Sequence, residues 1–269
     1  LPVTVLNDDG IGDTSTIAAG IVYSADNGAH VISLALGTEA RSLVVAAAID
    51  YAVGKGITII SPVGNDGGPE SLYPAAEGNV HGVGGSDHLD TYGWYSNINE
   101  AIRYCAPGSS TLGGGNPVAS QCIIGPRPGG NFYAAEGTSF ATAFATGIAA
   151  LVRAQHPEWP TVAEPIGTLW YRVGAVIDAS PFSVSIAAPV HTRPRADAAA
   201  CVLAGPVVPP LGDLDGDGYV SGSDLGLLLA AWNAPLPTNG TLHLADLNID
   251  FAVSGADLGL LLAEWNPAP

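Results

Sequence analysis

The chain is poor in several residue types, and each shortage excludes a class of protein. It contains no Met, and only 8 Lys and Arg stand against 25 Asp and Glu, which gives a formal net charge of −17. A surface this acidic repels nucleic acids and anionic membranes, so neither is expected as a partner. No apolar run reaches the roughly 18 residues that a transmembrane helix needs.

Cysteine is also scarce, with Cys105, Cys122 and Cys201 as the only three in the chain. They permit one disulfide bond, for instance between Cys105 and Cys122, but nothing in their spacing requires it. Buried, unreactive thiols are the alternative, because free cysteine is among the residue types most often found in protein interiors. The sequence leaves both possibilities open.

The chain before residue 160 alternates between strand-like and helix-like stretches. Runs that are typical of strands occupy 2–6, 31–36, 57–60, 80–83 and 102–105. Helical spacing occupies 14–27 and 42–53, and the stretch after Ser139 is apolar almost all round, which predicts a helix buried inside the domain. This order predicts an α/β fold, with a doubly wound parallel sheet covered by helices on both faces.

A proline-rich stretch and a repeat divide the chain further. Residues 205–210 form a stiff linker, which predicts a first domain over 1–204 and a second over 211–269. Within the second, the residues from Val220 to Asn233 return 33 positions later with two substitutions. Such fidelity predicts two copies of one structural unit in a small all-α domain.

Each copy begins with oxygen-bearing residues at the spacing of a twelve-residue calcium loop, in which Ca²⁺ collects six or more oxygen ligands. The first copy offers Asp213, Asp215, Asp217, Tyr219 (through its carbonyl), Ser221 and Asp224. The second copy offers Asp246, Asn248, Asp250, Ala252 (through its carbonyl), Ser254 and Asp257. An acidic loop of Asx turns without a metal is the alternative.

Two calcium loops, each followed but not preceded by a helix, resemble a dockerin module. The resemblance covers 211–269, with one departure, since Phe251 stands where the first loop has Gly218. It implies structural Ca²⁺ and docking to a cohesin-like protein partner or anchoring in a larger assembly.

The stretch EGTSFATAFATG, residues 136–147, places Ser139 at the start of the predicted buried helix. A serine at that place has free backbone N–H groups and the positive end of the helix dipole beside it, which suits a nucleophile. A small residue that lets the helix pack closely on a sheet is the alternative.

Four further short sequence motifs precede Ser139, and their order along the chain is characteristic. They are SLALG at 33–37, VGNDG at 63–67, YPAAEGNVHGVGGSD at 73–87 and YCAPGS at 104–109. Together with GTSFAT they resemble the subtilisin-like serine peptidases, from Leu1 to about Leu203, where RADAAACVL looks like that family's closing helix.

The resemblance implies a role for each matching residue. Ser139 falls on the nucleophile and Asn65 on the side-chain donor of the oxyanion hole, although Asn65-Asp66-Gly67 is also a common turn sequence. The two segments that flank the substrate's side chain fall on Ala35, Leu36 and Gly37 and on Pro62, Val63 and Gly64.

The general base is the element that the sequence does not supply. The family's order of Asp, His and Ser puts both partners before the strand-like run at 2–6. Asp8-Asp9-Gly10 reads as a plain turn, and none of the six histidines has an acidic partner at a meaningful spacing. With no signal peptide visible before Leu1, we expect a truncated gene product or a fragment of a larger secreted peptidase.

The sequence therefore predicts a secreted or cell-surface serine endopeptidase that cleaves peptide bonds through an acyl-enzyme and carries a calcium-dependent docking module. Because the chain lacks the Asp and His of the triad, we expect it to be inactive alone. The rival hypothesis is a non-catalytic, peptidase-like scaffold that binds a cohesin-type partner.

Overall fold

The computed structural model describes most of the chain. The described residues are 1–70, 72–108, 122–127, 129–157, 159, 173–174, 176–178, 180–186, 192–203, 212–214, 219–232, 245, 247 and 252–267. The predicted linker at 205–210 lies outside them. Within these ranges, every helix is too short or too polar to cross a bilayer.

Four short parallel strands form the central sheet: β1 (Val31–Ser33), β2 (Thr58–Pro62), β3 (His81–Ser86) and β4 (Ile102–Pro107). They lie side by side in chain order, so β1 and β4 are the edges of this sheet in the described part of the chain. Both β2 and β3 are buried at every position, as a parallel sheet covered on both faces requires. The predicted parallel sheet is confirmed.

Helices cover both faces of this sheet. Ile59 shares a hydrophobic core with α1 (Thr14–Asp26) and α2 (Leu43–Gly54), whereas its neighbour Ile60 shares another with α3 (Thr138–Gln155). Because adjacent residues of a strand point to opposite faces, the sheet lies between the two helix layers. This arrangement confirms an α/β fold with helices on both faces of a parallel sheet, while the four described strands run in chain order without the reversal of a doubly wound sheet.

Side-chain caps fix where the first two helices begin. The Asp13 carboxylate accepts a hydrogen bond from the Thr16 amide at 2.8 Å, and the Ser42 hydroxyl accepts one from the Val45 amide at 3.4 Å. Such caps satisfy amides that the first helical turn leaves without an intrahelical acceptor. Both starts lie within one residue of the predicted ones.

Smaller elements surround this core. One antiparallel pair joins β5 (Ile123–Arg127) to β6 (Asn131–Ala135), directly before α3, and another joins β7 (Ser183–Ser185) to β8 (Thr192–Pro194). The short helix α4 (Ala198–Leu203) coincides with the predicted closing helix and packs on α3 through Cys201.

The repeat forms two nine-residue helices, α5 (Gly222–Ala230) and α6 (Gly255–Ala263). Each begins with a serine cap and a capping box, in which the serine and an aspartate three residues later satisfy each other's amides. The equivalent leucines of the two copies, Leu228 and Leu261, are fully buried in one core. The two apolar faces therefore share one hydrophobic interior, as predicted from the repeat.

Residues 1–6 do not form the predicted strand. A strand needs a neighbour for its hydrogen-bond ladder, and β1 pairs only with β2 in the described part of the chain. The segment instead packs on α1, where Val5 lies against Gly20. Between residues 1–6 and β1 lies a groove of about 710 Å³.

The helix after Ser139 is buried on one face only, whereas its composition predicts burial on all sides. One face of α3, including Ala141, Ala145 and Ala149, is fully buried against the sheet. The other face is apolar too, yet Phe144 is 45% exposed and Leu151 48% exposed. The expectation of burial on all sides is therefore wrong, because nothing in the described residues covers that second face.

The three cysteines are free thiols, so the structure contains no Cys105–Cys122 disulfide. Burial raises the pKa of the Cys105 thiol to about 12, which leaves about 10⁻⁴ of it as thiolate at pH 8. We expect iodoacetamide at pH 8 to alkylate the half-buried Cys122 and to spare Cys105, as read by peptide mass spectrometry. Equal alkylation of both in the folded chain would contradict this burial, and full reaction of both in denaturant is the control.

Candidate active site

Ser139 lies at the second position of α3, just after a turn that only glycine adopts. Gly137, the residue that caps α3, has φ 148° and ψ 154°, a conformation closed to residues with a Cβ. The Gly137 amide donates to the Gly108 carbonyl at 2.9 Å, which ties this turn to the end of β4. The Ser139 amide has no acceptor in the described part of the chain, as expected for the first turn of a helix.

The Asn65 side chain lies against the same turn. Its Oδ1 accepts hydrogen bonds from the Thr138 amide and from the Thr138 hydroxyl, both at 2.8 Å. A Cβ built on Gly137 would lie 3.6 Å from Asn65 Nδ2, so the carboxamide nitrogen is beside the nucleophile turn. Because Oδ1 is held by Thr138, the NH₂ group is left to donate elsewhere, and no described residue accepts from it.

Two donors without an acceptor in the described residues therefore lie at the nucleophile turn: the Ser139 amide in the first turn of α3 and the Asn65 NH₂ group beside Gly137. Donors of this kind are what an oxyanion on a carbonyl attacked by Ser139 requires. The positive end of the α3 dipole adds to the attraction. The arrangement is chemically suited to nucleophilic attack on an acyl group.

The fold explains why these residues meet. The carboxyl ends of parallel strands lie on the same side of a sheet, so the loops after β1 and β2 are neighbours. The Ser61 hydroxyl donates to the Leu34 carbonyl at 3.2 Å, which holds the two strand ends together. Asn65 follows β2 by three residues, and α3 begins beside it at these carboxyl ends.

The six predicted substrate-flanking residues lie on these two adjacent segments. Ala35 and Gly37 are exposed and Leu36 is half-buried, so the first segment can contact a ligand directly. The second segment, Pro62, Val63 and Gly64, is buried, and Pro62 is the last residue of β2. An extended ligand that pairs with these segments as a further strand would contact the backbone of both.

A cavity of about 410 Å³ beside Ala35–Gly37 was missed by sequence reasoning. Its apolar walls come from the loop before α1, from α1 and α2, and from the 72–77 region. Glu77 lies at one side with its carboxylate held by Arg41, at 2.9 and 2.7 Å. Two residues of its lining, Thr38 and Tyr73, pair through two backbone hydrogen bonds of 2.8 Å, a long-range contact that no local sequence signal announces.

The described histidines lie away from Ser139. His30 precedes β1 and His81 begins β3, so both lie at the amino ends of the strands, whereas Asn65 lies beyond the carboxyl end of β2. His156 ends α3, which at 18 residues places it about 27 Å from the helix start. His88 follows β3 in an exposed turn, and His191 and His243 lie outside the described residues. In the described part of the chain, no imidazole is hydrogen-bonded to Ser139.

Asp8 and Asp9 lie in a turn, as the sequence predicts. The Asn7 side chain accepts from the Asp9 and Ile11 amides at 3.1 and 2.9 Å, and the Gly10 amide donates to the Asn7 carbonyl. These bonds are those of an Asx turn. Neither aspartate orients a histidine there.

The predicted calcium ligands are only partly described. Asp213, Tyr219, Ser221, Asp224, Ala252, Ser254 and Asp257 are described, whereas Asp215, Asp217, Asp246, Asn248 and Asp250 lie outside the described residues. Accordingly, no cluster of three or more His, Cys, Asp or Glu with metal-site geometry occurs among the described residues. The carboxylates at the last position of each twelve-residue loop have matching surroundings. Asp224 accepts from the Leu214 and Ser221 amides at 2.7 and 2.8 Å. Asp257 accepts from the Leu247 and Ser254 amides at 2.7 Å each.

Comparison with known proteins bears on the first part of the chain. The profile of the Subtilase family, peptidase S8, matches residues 1–169. The M-protease of Shouchella clausii is 31% identical over 160 residues, which are 60% of this chain and 39% of that protein. Subtilisin BL of Lederbergia lenta is also 31% identical over 160 residues, which are 55% of its length. Thermitase of Thermoactinomyces vulgaris is 33% identical over 155 residues, 58% of this chain and 51% of its own. This chain thus spans about half, or less, of the curated relatives it matches.

Solved structures agree on the fold. A protease from Pseudoalteromonas arctica superposes with a TM-score of 0.64 at 24% identity, over 76% of this chain and 62% of that one. A lanthipeptide protease superposes with a TM-score of 0.60 at 22% identity, over 76% and 69% of the two chains.

Proposed function

Because this chain belongs to the subtilase family, we propose that it carries the nucleophile and the oxyanion hole of a serine endopeptidase. Ser139 attacks a peptide carbonyl and forms an acyl-enzyme, while the Ser139 amide and the Asn65 NH₂ group hold the oxyanion. The observation that carries the proposal is the position of these two donors at one turn, neither with an acceptor in the described residues. The substrate backbone lies along Ala35–Gly37 and Pro62–Gly64.

The base that activates Ser139 comes, in this proposal, from outside the described residues. Three of the four described histidines lie at the amino ends of the strands or the far end of α3. A positioned base contributes about 10²–10⁴ to such a reaction, so this chain alone should be a slow catalyst. The family relationship also supports a secreted enzyme, in line with the absence of a membrane-spanning helix among the described residues.

Chemical rescue tests this proposal with the 269-residue chain itself. A fluorophosphonate probe should label Ser139 slowly, and added imidazole should accelerate the labelling by about tenfold, since it replaces part of the missing base. Ser139→Ala should abolish labelling with and without imidazole, and peptide mass spectrometry should locate the adduct. Fast labelling without imidazole would show that the chain holds its own base, and no labelling in either condition would favour the non-catalytic scaffold.

We also propose that residues 211–269 bind two structural Ca²⁺ ions and act as a dockerin-like module for a cohesin-like partner. This region contains eight Asp and Glu but no Lys or Arg, and Asp213, Asp224 and Asp257 are buried. Buried carboxylates need a compensating charge, which side chains of this region do not supply.

The two calcium sites should be unequal, with the first loop the tighter. The sixth position of a twelve-residue calcium loop needs a sharp turn. Gly218 supplies it in the first loop, whereas Phe251 stands at that position in the second. A bulky residue in that backbone conformation costs about 1–3 kcal/mol, or about 5- to 150-fold in affinity. By calorimetry, Asp213→Ala should abolish the tight site and Asp246→Ala should leave it nearly intact. The reverse pattern, or no gain in affinity for Phe251→Gly, would refute the argument.

A further inference from the structure

The loop between β3 and β4 contacts both halves of the candidate active site. Its segment Tyr92–Asn97, here named the brace segment, is anchored to β3 by two bonds to Gly85. The Gly85 amide donates to the Ser96 hydroxyl at 3.1 Å, and the Gly93 amide donates to the Gly85 carbonyl at 2.8 Å. Ser96 is fully buried, so the anchor is shielded from water.

One end of the brace segment grips the turn that carries Asn65. The Asn97 amide donates to the Gly64 carbonyl at 3.1 Å, and Asn97 Oδ1 accepts from the Asp66 amide at 2.8 Å. These two bonds flank Asn65 on both sides. Asn97 Nδ2 donates to the Glu70 carbonyl at 3.1 Å, and the side chain is fully buried.

Gly64 makes this grip possible. A Cβ on Gly64 would lie 2.3 Å from Asn97 Nδ2, and its φ of 113° is itself unfavourable for other residues. Only a glycine at this position therefore leaves room for the Asn97 carboxamide. Such contact fixes the direction in which the next residue, Asn65, leaves the turn.

The middle of the brace segment reaches the nucleophile turn. The Tyr95 hydroxyl donates to the Gly108 carbonyl at 2.6 Å, and this same carbonyl accepts from the Gly137 amide at 2.9 Å. Burial raises the pKa of Tyr95 above its usual range, so its hydroxyl stays protonated as a donor. The Tyr95 carbonyl also accepts from the Gly67 amide at 2.7 Å, which links both turns through one residue.

We infer that Asn97 and Tyr95 are positioning residues, which hold the oxyanion donor Asn65 and the nucleophile turn at Gly137 in a fixed relation through the brace segment. The inference deepens the proposed function and rests on it for the role of Asn65. Neither residue touches the reacting atoms, so each acts through the turn that it holds. Preorganised donors stabilise an oxyanion only when their geometry is fixed in advance, which is what this contact supplies.

Amide hydrogen exchange, measured by NMR on the full chain, tests the coupling independently of activity. In Asn97→Leu, the Asp66 amide should exchange at least tenfold faster because its acceptor is gone. The Thr138 amide should also exchange at least tenfold faster, although Asn97 does not touch Thr138, because Asn65 no longer holds its place. Asn97→Asp keeps an oxygen acceptor and should restore the protection of both amides.

Asn99→Leu is the matched control. Asn99 is buried as well and donates to the same Glu70 carbonyl, at 2.8 Å, but makes no bond to the Asn65 turn. It should leave the Asp66 and Thr138 amides unchanged. If Thr138 stays protected in Asn97→Leu, or if Asn99→Leu exposes it equally, Asn97 is merely structural and the inference is overturned.

Tyr95→Phe removes one hydroxyl and separates the two arms of the brace segment. The Gly137 amide should exchange faster while the Asp66 amide keeps its protection, and imidazole-assisted labelling of Ser139 should slow severalfold with unchanged probe affinity. No change at Gly137, or equal loss at Gly137 and Asp66, would contradict the Tyr95 assignment. If wild-type Ser139 is never labelled, the proposed function fails, whereas the exchange results still decide the coupling.

Discussion

Asn65→Leu should slow the imidazole-assisted acylation of Ser139 by about 10²–10³-fold. The magnitude is that measured for the loss of one side-chain oxyanion donor in a subtilisin, about 2.7–4 kcal/mol. The physical reason is the placement of Asn65, whose Oδ1 is held by Thr138 while its NH₂ group is left for the oxyanion. Hydrolysis of an activated ester, measured with a fixed concentration of imidazole, gives the rate.

Asn65→Asp separates the donor role of Asn65 from its anchoring role. The aspartate keeps an oxygen for the Thr138 amide and hydroxyl, so the turn should keep its geometry. It replaces the donor with a negative oxygen, which repels the developing oxyanion, so the rate should fall at least as far as in Asn65→Leu. An active Asn65→Asp variant would show that Asn65 serves only to anchor Thr138.

The catalytic candidates could be named from the sequence because five short sequences stand in the order of one family, and Ser139 and Asn65 fall on its functional positions. The structure adds a local reason, since Gly137, two residues before Ser139, has a backbone conformation that glycine alone adopts. Asn97 and Tyr95 carry no such signal, because their roles depend on bonds to residues 31 and 13 positions away. A buried asparagine in a loop looks like any polar loop residue until the fold brings its partners to it.

The sheet and its helices were predictable for a similar reason. The run Ile57–Ile60 is β-branched at every position, and such a run suits burial on both faces of a parallel sheet. Residues 1–6 have the same composition but no partner strand, and ladder pairing is a property of neighbours rather than of the segment. The β5–β6 pair was missed because Ile123–Arg127 and Asn131–Ala135 are mostly exposed and lack a buried apolar pattern.

Residues 1–203, produced without the rest of the chain, should be only marginally stable. The described residues leave the outer edge of β1 without a partner, beside a groove of about 710 Å³. The neighbouring face of α3 exposes Phe144 and Leu151, and unpaired edges and apolar patches of this kind promote association. We expect binding of an apolar dye and a broad calorimetric transition at low temperature.

Charged substitutions on α3 separate aggregation through exposed apolar side chains from the effect of the unpaired β1 edge. Phe144→Lys with Leu151→Lys should reduce the aggregation of the 1–203 fragment, because both side chains are already half exposed and replacing them removes apolar surface from contact with water. The same change leaves the groove and the β1 edge as they are, so the transition should stay broad. A sharp melt of the unsubstituted fragment would show that α1, α2 and α3 suffice to stabilise the four strands. A sharp melt that appears only after the two substitutions would show that aggregation, rather than the unpaired β1 edge, had broadened the transition.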